Sequence, residues 1–164
     1  MEEILREVQA AFEARLYYAA LILSLTLPDI CAALAAPDGR SHPDRYKAWF
    51  RDNLSATYKR MSEDDIYSLR SGVLHQGRLG HPGIQYGRVI FAIPRKGWEI
   101  HNNIAKDGLQ LQLEIFCTDV IAAARRWFEA NQNDANVQRN LPNLMRYRSE
   151  KEATLFGLPV AVIA

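Results

Sequence analysis

An excess of charge of one sign is what this sequence most conspicuously lacks. Lysine and arginine together number 20 against 19 aspartates and glutamates, a net of +1 over 164 residues. A protein that coats nucleic acid carries a larger basic excess, so that class is excluded, and any contact with RNA has to come from a local site or from a groove between copies. Cysteine is scarce too. Cys31 and Cys117 are far apart, form no C-x-x-C pair and sit in apolar text, so they read as buried free thiols behaving as small hydrophobes. Gly77, Gly80, Gly83 and Gly87 are too loosely spaced for a Walker-type or dinucleotide-binding loop. His42 and His81 adjoin prolines in loops, His101 alternates with apolar residues, and none of the four histidines has metal-ligand spacing, so neither a metal nor a cofactor is expected. The apolar run 16–27 falls short of the roughly 20 residues that cross a bilayer, and the start Met1-Glu2-Glu3-Ile4 is acidic where a secretory signal is basic. A cytoplasmic protein with no membrane partner is expected. There are no repeats and no low-complexity linker, which leaves one domain spanning 1–164.

Apolar residues make up 48% of the chain, enough for a real core at this length. Residues 2 to about 26 read as one long helix, with Ile4, Val8, Phe12, Leu16 and Leu23 near one stripe. Pro28 ends that helix or opens the next, a short one over 29–36. After the loop 37–43, residues 44–54 predict a third helix that buries Tyr46, Trp49 and Phe50. Ser62-Glu63-Asp64-Asp65 is a strong start signal, a capping side chain followed by acids at the positive end of the helix dipole. The fourth helix runs from there to about Gln76, stopped by Gly77, with Ile66, Leu69 and Val73 inward.

The middle of the chain changes period. Residues 87–94 are β-branched and end at Pro94; Trp98, Ile100, Asn102 and Ile104 alternate with polar residues; Leu109, Leu111 and Leu113 alternate with Gln110 and Gln112. These three runs predict a small antiparallel β-meander inserted at about 87–113. The last run borders a helix directly and also fits a helical start; strand to about Leu113 is the preferred reading. Phe116, Val120, Ala124 and Trp127 then mark one face of a helix ending near Asn131, and a further helix covers about 134–147. The tail 155–164 is apolar and uncharged. Left bare it would invite aggregation, so it is expected to dock on the body or on a partner.

Chemistry concentrates in the fourth helix, Ile66-Tyr67-Ser68-Leu69-Arg70-Ser71-Gly72-Val73-Leu74-His75-Gln76. Tyr67, Ser71 and His75 recur every four residues and share a face, whereas Arg70 lies about 140° from His75 on an ideal helix. A long arginine and a histidine in a loosened last turn can still converge. Such a pair suits phosphodiester cleavage: histidine moves a proton near neutral pH, and arginine offers a permanently charged fork to phosphate oxygens. One copy has one such histidine, and a symmetric dimer would supply two. The structural alternative is that Arg70 pairs with Asp64, Glu63 or another helix while His75 caps the helix C-terminus. Arg125, Arg126, Arg146 and Arg148 are explained as solvated helix faces.

Arg70-Ser71-Gly72-Val73-Leu74-His75 resembles the signature of the HEPN family, an arginine and a histidine separated by four to six residues near a helix end. Pro28-Asp29-Ile30-Cys31, Tyr46 with Trp49-Phe50, Tyr67-Ser68-Leu69 and Leu74-His75-Gln76-Gly77 also look like a group of uncharacterised bacterial proteins in or near that family, and the likeness covers roughly 28–77. The resemblance implies a mainly α, HEPN-like helical bundle. It implies a metal-independent endoribonuclease of toxin–antitoxin, defence or RNA-processing type, acting on RNA as a homodimer, with Arg70 and His75 catalytic and Ser71 and Tyr67 assisting. An antitoxin or another protein partner would accompany such a role. In many active members asparagine, aspartate or histidine follows the arginine; here it is Ser71. The alternative is a non-catalytic HEPN-like module that binds nucleotide, RNA or protein without turnover.

Overall fold

A computed structural model describes residues 1–80 and 85–164; the sequence features at His81 and Gly83 lie outside the described residues. Seven α-helices among these residues dominate the chain: α1 (Glu2–Glu13), α2 (Tyr17–Ala35), α3 (Pro43–Asn53), α4 (Glu63–Gln76), α5 (Leu113–Asn131), α6 (Ala135–Asn140) and α7 (Glu150–Ala153). Helix α2 is central and packs against α1, α3, α4, α5 and α6. A three-stranded sheet, β1 (Arg88–Ala92), β2 (Asn103–Ala105) and β3 (Gly108–Gln112), sits between α4 and α5 in sequence, and a two-stranded pair, β4 (Tyr147–Arg148) and β5 (Val162–Ile163), closes the chain.

The single long N-terminal helix is in fact two. Arg15 adopts φ +59°, a left-handed conformation. Around it Arg15 N–H donates to Phe12 C=O and Leu16 N–H to Ala11 C=O, the bond pattern that ends helices at a glycine. No glycine marks the break, so it is invisible to composition. The side chain at Arg15 carries a cost of about 1–2 kcal/mol for this conformation, partly offset by the larger unfolded-state freedom a glycine would have. Arg15→Gly is therefore expected to stabilise the fold by about 0.5–1 kcal/mol, read as a raised urea midpoint with an unchanged slope.

Helix α2 continues through Pro28 instead of stopping there. A proline inside a helix brings no N–H and crowds the carbonyls of the turn before it. Buried Tyr46 of α3 donates its hydroxyl to Leu25 C=O in that turn, at 3.2 Å. Uninterrupted, α2 has the length and composition to cross a bilayer, more than the 16–27 run suggests; here half of that stretch is buried against its neighbours.

The sheet is mixed, not an antiparallel meander. Strand β3 is central: β2 pairs with it antiparallel and β1 pairs with it parallel, Val89 opposite Leu109 and Phe91 opposite Leu111. The turn at Arg95–Trp98, with Gly97 at φ +80°, reverses the chain early and leaves Trp98 63% exposed outside any strand. Only 103–105 of the middle run reaches the sheet, as the outer arm of a hairpin through Lys106 and Asp107. The burial of Leu109 and Leu111 explains why the run 108–112 takes the middle position.

Strand β3 passes into α5 with no loop, Gln112 being both the last strand residue and the helix N-cap. Phe116, Val120 and Ala124 are buried along α5 as their spacing predicts. The helix expected over 134–147 is shorter. Asp134 caps α6 by accepting from Asn136 and Val137 N–H, and Pro142 turns the chain into a single 3₁₀ turn over Leu141–Asn143. The tail docks through its backbone, β5 pairing with β4 and Tyr147 standing opposite Ile163; Ala161 and Val162 are half-buried, while Leu155, Phe156, Val160 and Ile163 remain exposed. Cys31 and Cys117 are both buried and free. Burial raises both thiols, that of Cys117 to about 11.

Candidate functional site on helix four

Helix α4 begins on a reciprocal cap. Ser62 Oγ accepts from Asp65 N–H at 3.1 Å and the Asp65 carboxylate accepts from Ser62 N–H at 2.9 Å. Its other end is closed by Gly77 at φ +63°, with Gly77 N–H on Val73 C=O and Arg78 N–H on Gly72 C=O. The last turn is therefore regular, not loosened as the sequence suggests, and His75 stands inside it, exposed. The gap to Arg70 is bridged by the arginine's length alone. Its Nη1 lies 3.1 Å from His75 Nε2.

The other side of Arg70 is anchored. Its Nε donates to Asp29 Oδ2 at 2.8 Å, and both side chains are less than one-fifth exposed. Asp29 Oδ1 in turn accepts from Ser41 Oγ at 2.6 Å. Four side chains from α2, the loop before α3, and α4 thus form one hydrogen-bonded row: Ser41, Asp29, Arg70, His75. Beneath it lies Tyr46, fully buried; burial first, and the Asp29 charge second, push its phenol well above the usual value, so it stays protonated.

Of the residues expected at the site, Arg70 and His75 are brought together. Tyr67 is not. Its ring meets Tyr46 edge-on at 5.5 Å between centroids, and Lys47 Nζ lies 5.5 Å from its centre while pairing with Asp64, so Tyr67 belongs to the α3–α4 contact. Ser71 is half-buried on the turn before His75. Arg70 pairs with another helix and not with Asp64 or Glu63. Asp29 and Ser41 are the members that sequence reasoning missed. They lie 41 and 29 positions from Arg70, and the only available signal was Asp29's place in the Pro28-Asp29-Ile30-Cys31 stretch.

Elsewhere, Arg125 forms a two-point contact with Glu2 and is spent on holding α1 to α5. His42 stands 3.7 Å from Asp38. A groove of about 430 Å³ between α2, α3 and α5 is lined by Ala32, Ala36, Arg45, Trp49 and Trp127 and does not reach Arg70 or His75. Among the described residues no three His, Cys, Asp or Glu side chains converge.

His101 is a separate structural histidine. Its Nδ1 accepts from Gln112 N–H at 3.2 Å, pinning the β3–α5 junction, and its ring meets Tyr58 edge-on. Burial lowers its pKa below the usual 6.5, against the opposing pull of Asp119 and Glu99. The folded chain therefore binds fewer protons than the unfolded one as pH falls below about 6.5, and the stability that neutral His101 contributes is lost through that window. Urea midpoints are expected to fall between pH 7 and pH 5, with a shallower fall in His101→Asn.

No protein-family model, no curated protein and no solved structure matches this chain.

Proposed function

We propose that the chain is a metal-independent endoribonuclease of HEPN type that works as a homodimer, with two copies of α4 facing one cleft. The observation that carries this reading is the 3.1 Å contact between Arg70 and His75, backed by the Asp29 anchor. Arginine has five N–H donors, and among the described residues Nε serves Asp29 and Nη1 serves His75, so further donors remain for a phosphate. In the reaction, His75 of one copy takes the proton of a ribose 2′-hydroxyl, and the 2′-oxygen forms a bond to phosphorus. The bond from phosphorus to the 5′-oxygen breaks, and the protonated His75 of the second copy returns a proton to that oxygen. Arg70 stabilises the charge on the phosphoryl oxygens. Ser71, a turn away on the same face, adds a hydrogen bond, and Tyr67 acts through packing. The products are a 2′,3′-cyclic phosphate and a 5′-hydroxyl.

The test is cleavage of single-stranded RNA in EDTA with end-group analysis. Cyclic phosphate ends are expected, and mixing Arg70→Ala with His75→Ala protein should restore no activity, because the mixed dimer holds a single His75 where the two proton transfers use two. Full cleavage by purified His75→Ala would refute the reading. A second reading is favoured by one fact, that the Nε2 lone pair of His75 is engaged: a binding module for RNA, nucleotide or protein without turnover. It predicts binding that weakens in Arg70→Ala and no product under any condition.

A further inference from the structure

The contact between Arg70 and His75 fixes the state of the imidazole. Arginine has no acceptor and keeps its protons in proteins, so Nη1 must donate and His75 Nε2 must accept. Nε2 then bears the lone pair and Nδ1 carries the proton. The lone pair needed to take a proton from a hydroxyl is the one that Arg70 covers.

We propose that this site is masked by its own arginine and unmasked by phosphate. An incoming phosphodiester takes the Nη1 edge of Arg70 and so frees Nε2 of His75 to act as a base. The exchange is downhill, because the guanidinium meets an opposite charge on phosphate where imidazole offers only a neutral lone pair, and its planar fork can hold two phosphate oxygens at once. The inference rests on the nuclease reading for its purpose, though its test does not depend on cleavage.

Asp29 is what makes the exchange local. It holds Nε at 2.8 Å and is itself held by Ser41 at 2.6 Å, so the near end of the guanidinium stays in place while the far end changes partner. Without that anchor the arginine would swing out toward solvent when the anion arrived. Asp29 is a positioning residue, acting on His75 only through Arg70. The arrangement protects against idle protonation chemistry as well: the base is exposed only when the group it serves is already bound beside it.

The tautomer of His75 reads this directly. In full-length protein labelled with ¹⁵N at histidine, long-range ¹H–¹⁵N spectra at a pH where the ring is neutral should show His75 with a protonated Nδ1 and a bare Nε2. Free imidazole side chains prefer the opposite form. Adding inorganic phosphate, or an uncleavable 2′-deoxy dinucleotide, is expected to release the ring, so that the tautomer ratio relaxes about tenfold toward that of a free imidazole, the equivalent of one net hydrogen bond. The Nδ1–H fraction that remains is the one whose uncovered Nε2 takes a proton. Chloride at equal ionic strength should leave it unchanged. Ser41→Ala, a mild change at the far end of the row, should weaken the Nδ1–H preference in the phosphate-free protein while leaving the thermal midpoint near that of the parent. A His75 that carries its proton on Nε2 without phosphate, or a ratio indifferent to phosphate, overturns the proposal. If phosphate shifts the ratio but RNA is never cleaved, masking stands and the nuclease reading falls; cleavage with an unshifted ratio has the reverse meaning.

Discussion

Replacing His75 with alanine is expected to lower RNA cleavage by roughly two to four orders of magnitude, the range that a positioned general acid–base group contributes. In the composite site the loss falls on both proton transfers, since each copy supplies either the base or the acid. The fold should hardly notice. His75 is exposed in the last turn of α4, whereas the buried Ile66 and Leu69 point away from it, and surface changes of this kind usually stay within about 0.5 kcal/mol. Rates measured in EDTA alongside thermal melts would separate the two effects. Arg70→Ala makes a poorer probe, because it strands the mostly buried Asp29 carboxylate and mixes lost chemistry with lost stability. A His75→Ala protein that keeps both its melting point and its rate would remove helix four from the mechanism.

The largest structural effect is expected at Phe116. This side chain is 1% exposed and lies between two rings, Phe91 from the sheet at 5.2 Å and Tyr58 from the α3–α4 connection at 5.7 Å, both in edge-on geometry. Phe116→Ala opens a cavity where sheet, α5 and connection meet. The cost for such a change is about 3–5 kcal/mol, with the lost ring pairs included in the upper part of that range. For a domain of this size that corresponds to a drop of roughly 6–20 °C in Tm. The damage should spread toward Tyr58, whose hydroxyl donates to Asp119 at 2.8 Å, and toward His101 beside it. Phe116→Leu, which keeps most of the volume, should cost less than half as much. Equal losses for the two variants would mean that the site is not close-packed.

What the sequence made legible was local. The start and stop of α4 followed from Ser62, Asp65 and Gly77, each acting within four residues, and the inward faces of α3 and α5 followed from their spacing. What it concealed was set by partners far along the chain. Pro28 reads as a stop because a proline removes a helical bond, yet the tertiary packing of α2, with Tyr46 on the crowded turn, carries the helix past it. The break at Arg15 has no glycine to announce it. The order of the three strands was hidden because alternation marks which residues face inward and says nothing of which strand lies in the middle. At the site, the Arg70–His75 pair was readable as a spacing, while Asp29 and Ser41 became visible only once α2 and the loop before α3 were folded against α4.

The seamless passage from β3 into α5 has a consequence for how this chain tolerates insertion and deletion. A loop between two elements absorbs an added residue; here there is none, since Gln112 ends one element and Leu113 begins the next. One residue added at that point rotates everything after it by about 100° around the helix axis. Phe116, Val120 and Ala124 would leave their sites together, and Ile115, Asp119 and Ala123 would take their places, putting a carboxylate where Val120 is buried. Length changes should therefore be accepted in the exposed stretch 37–40 and rejected at 112–113, so the spacing between Leu111 and Phe116 is a fixed ruler in this fold, as binding on the chain as the identity of either residue.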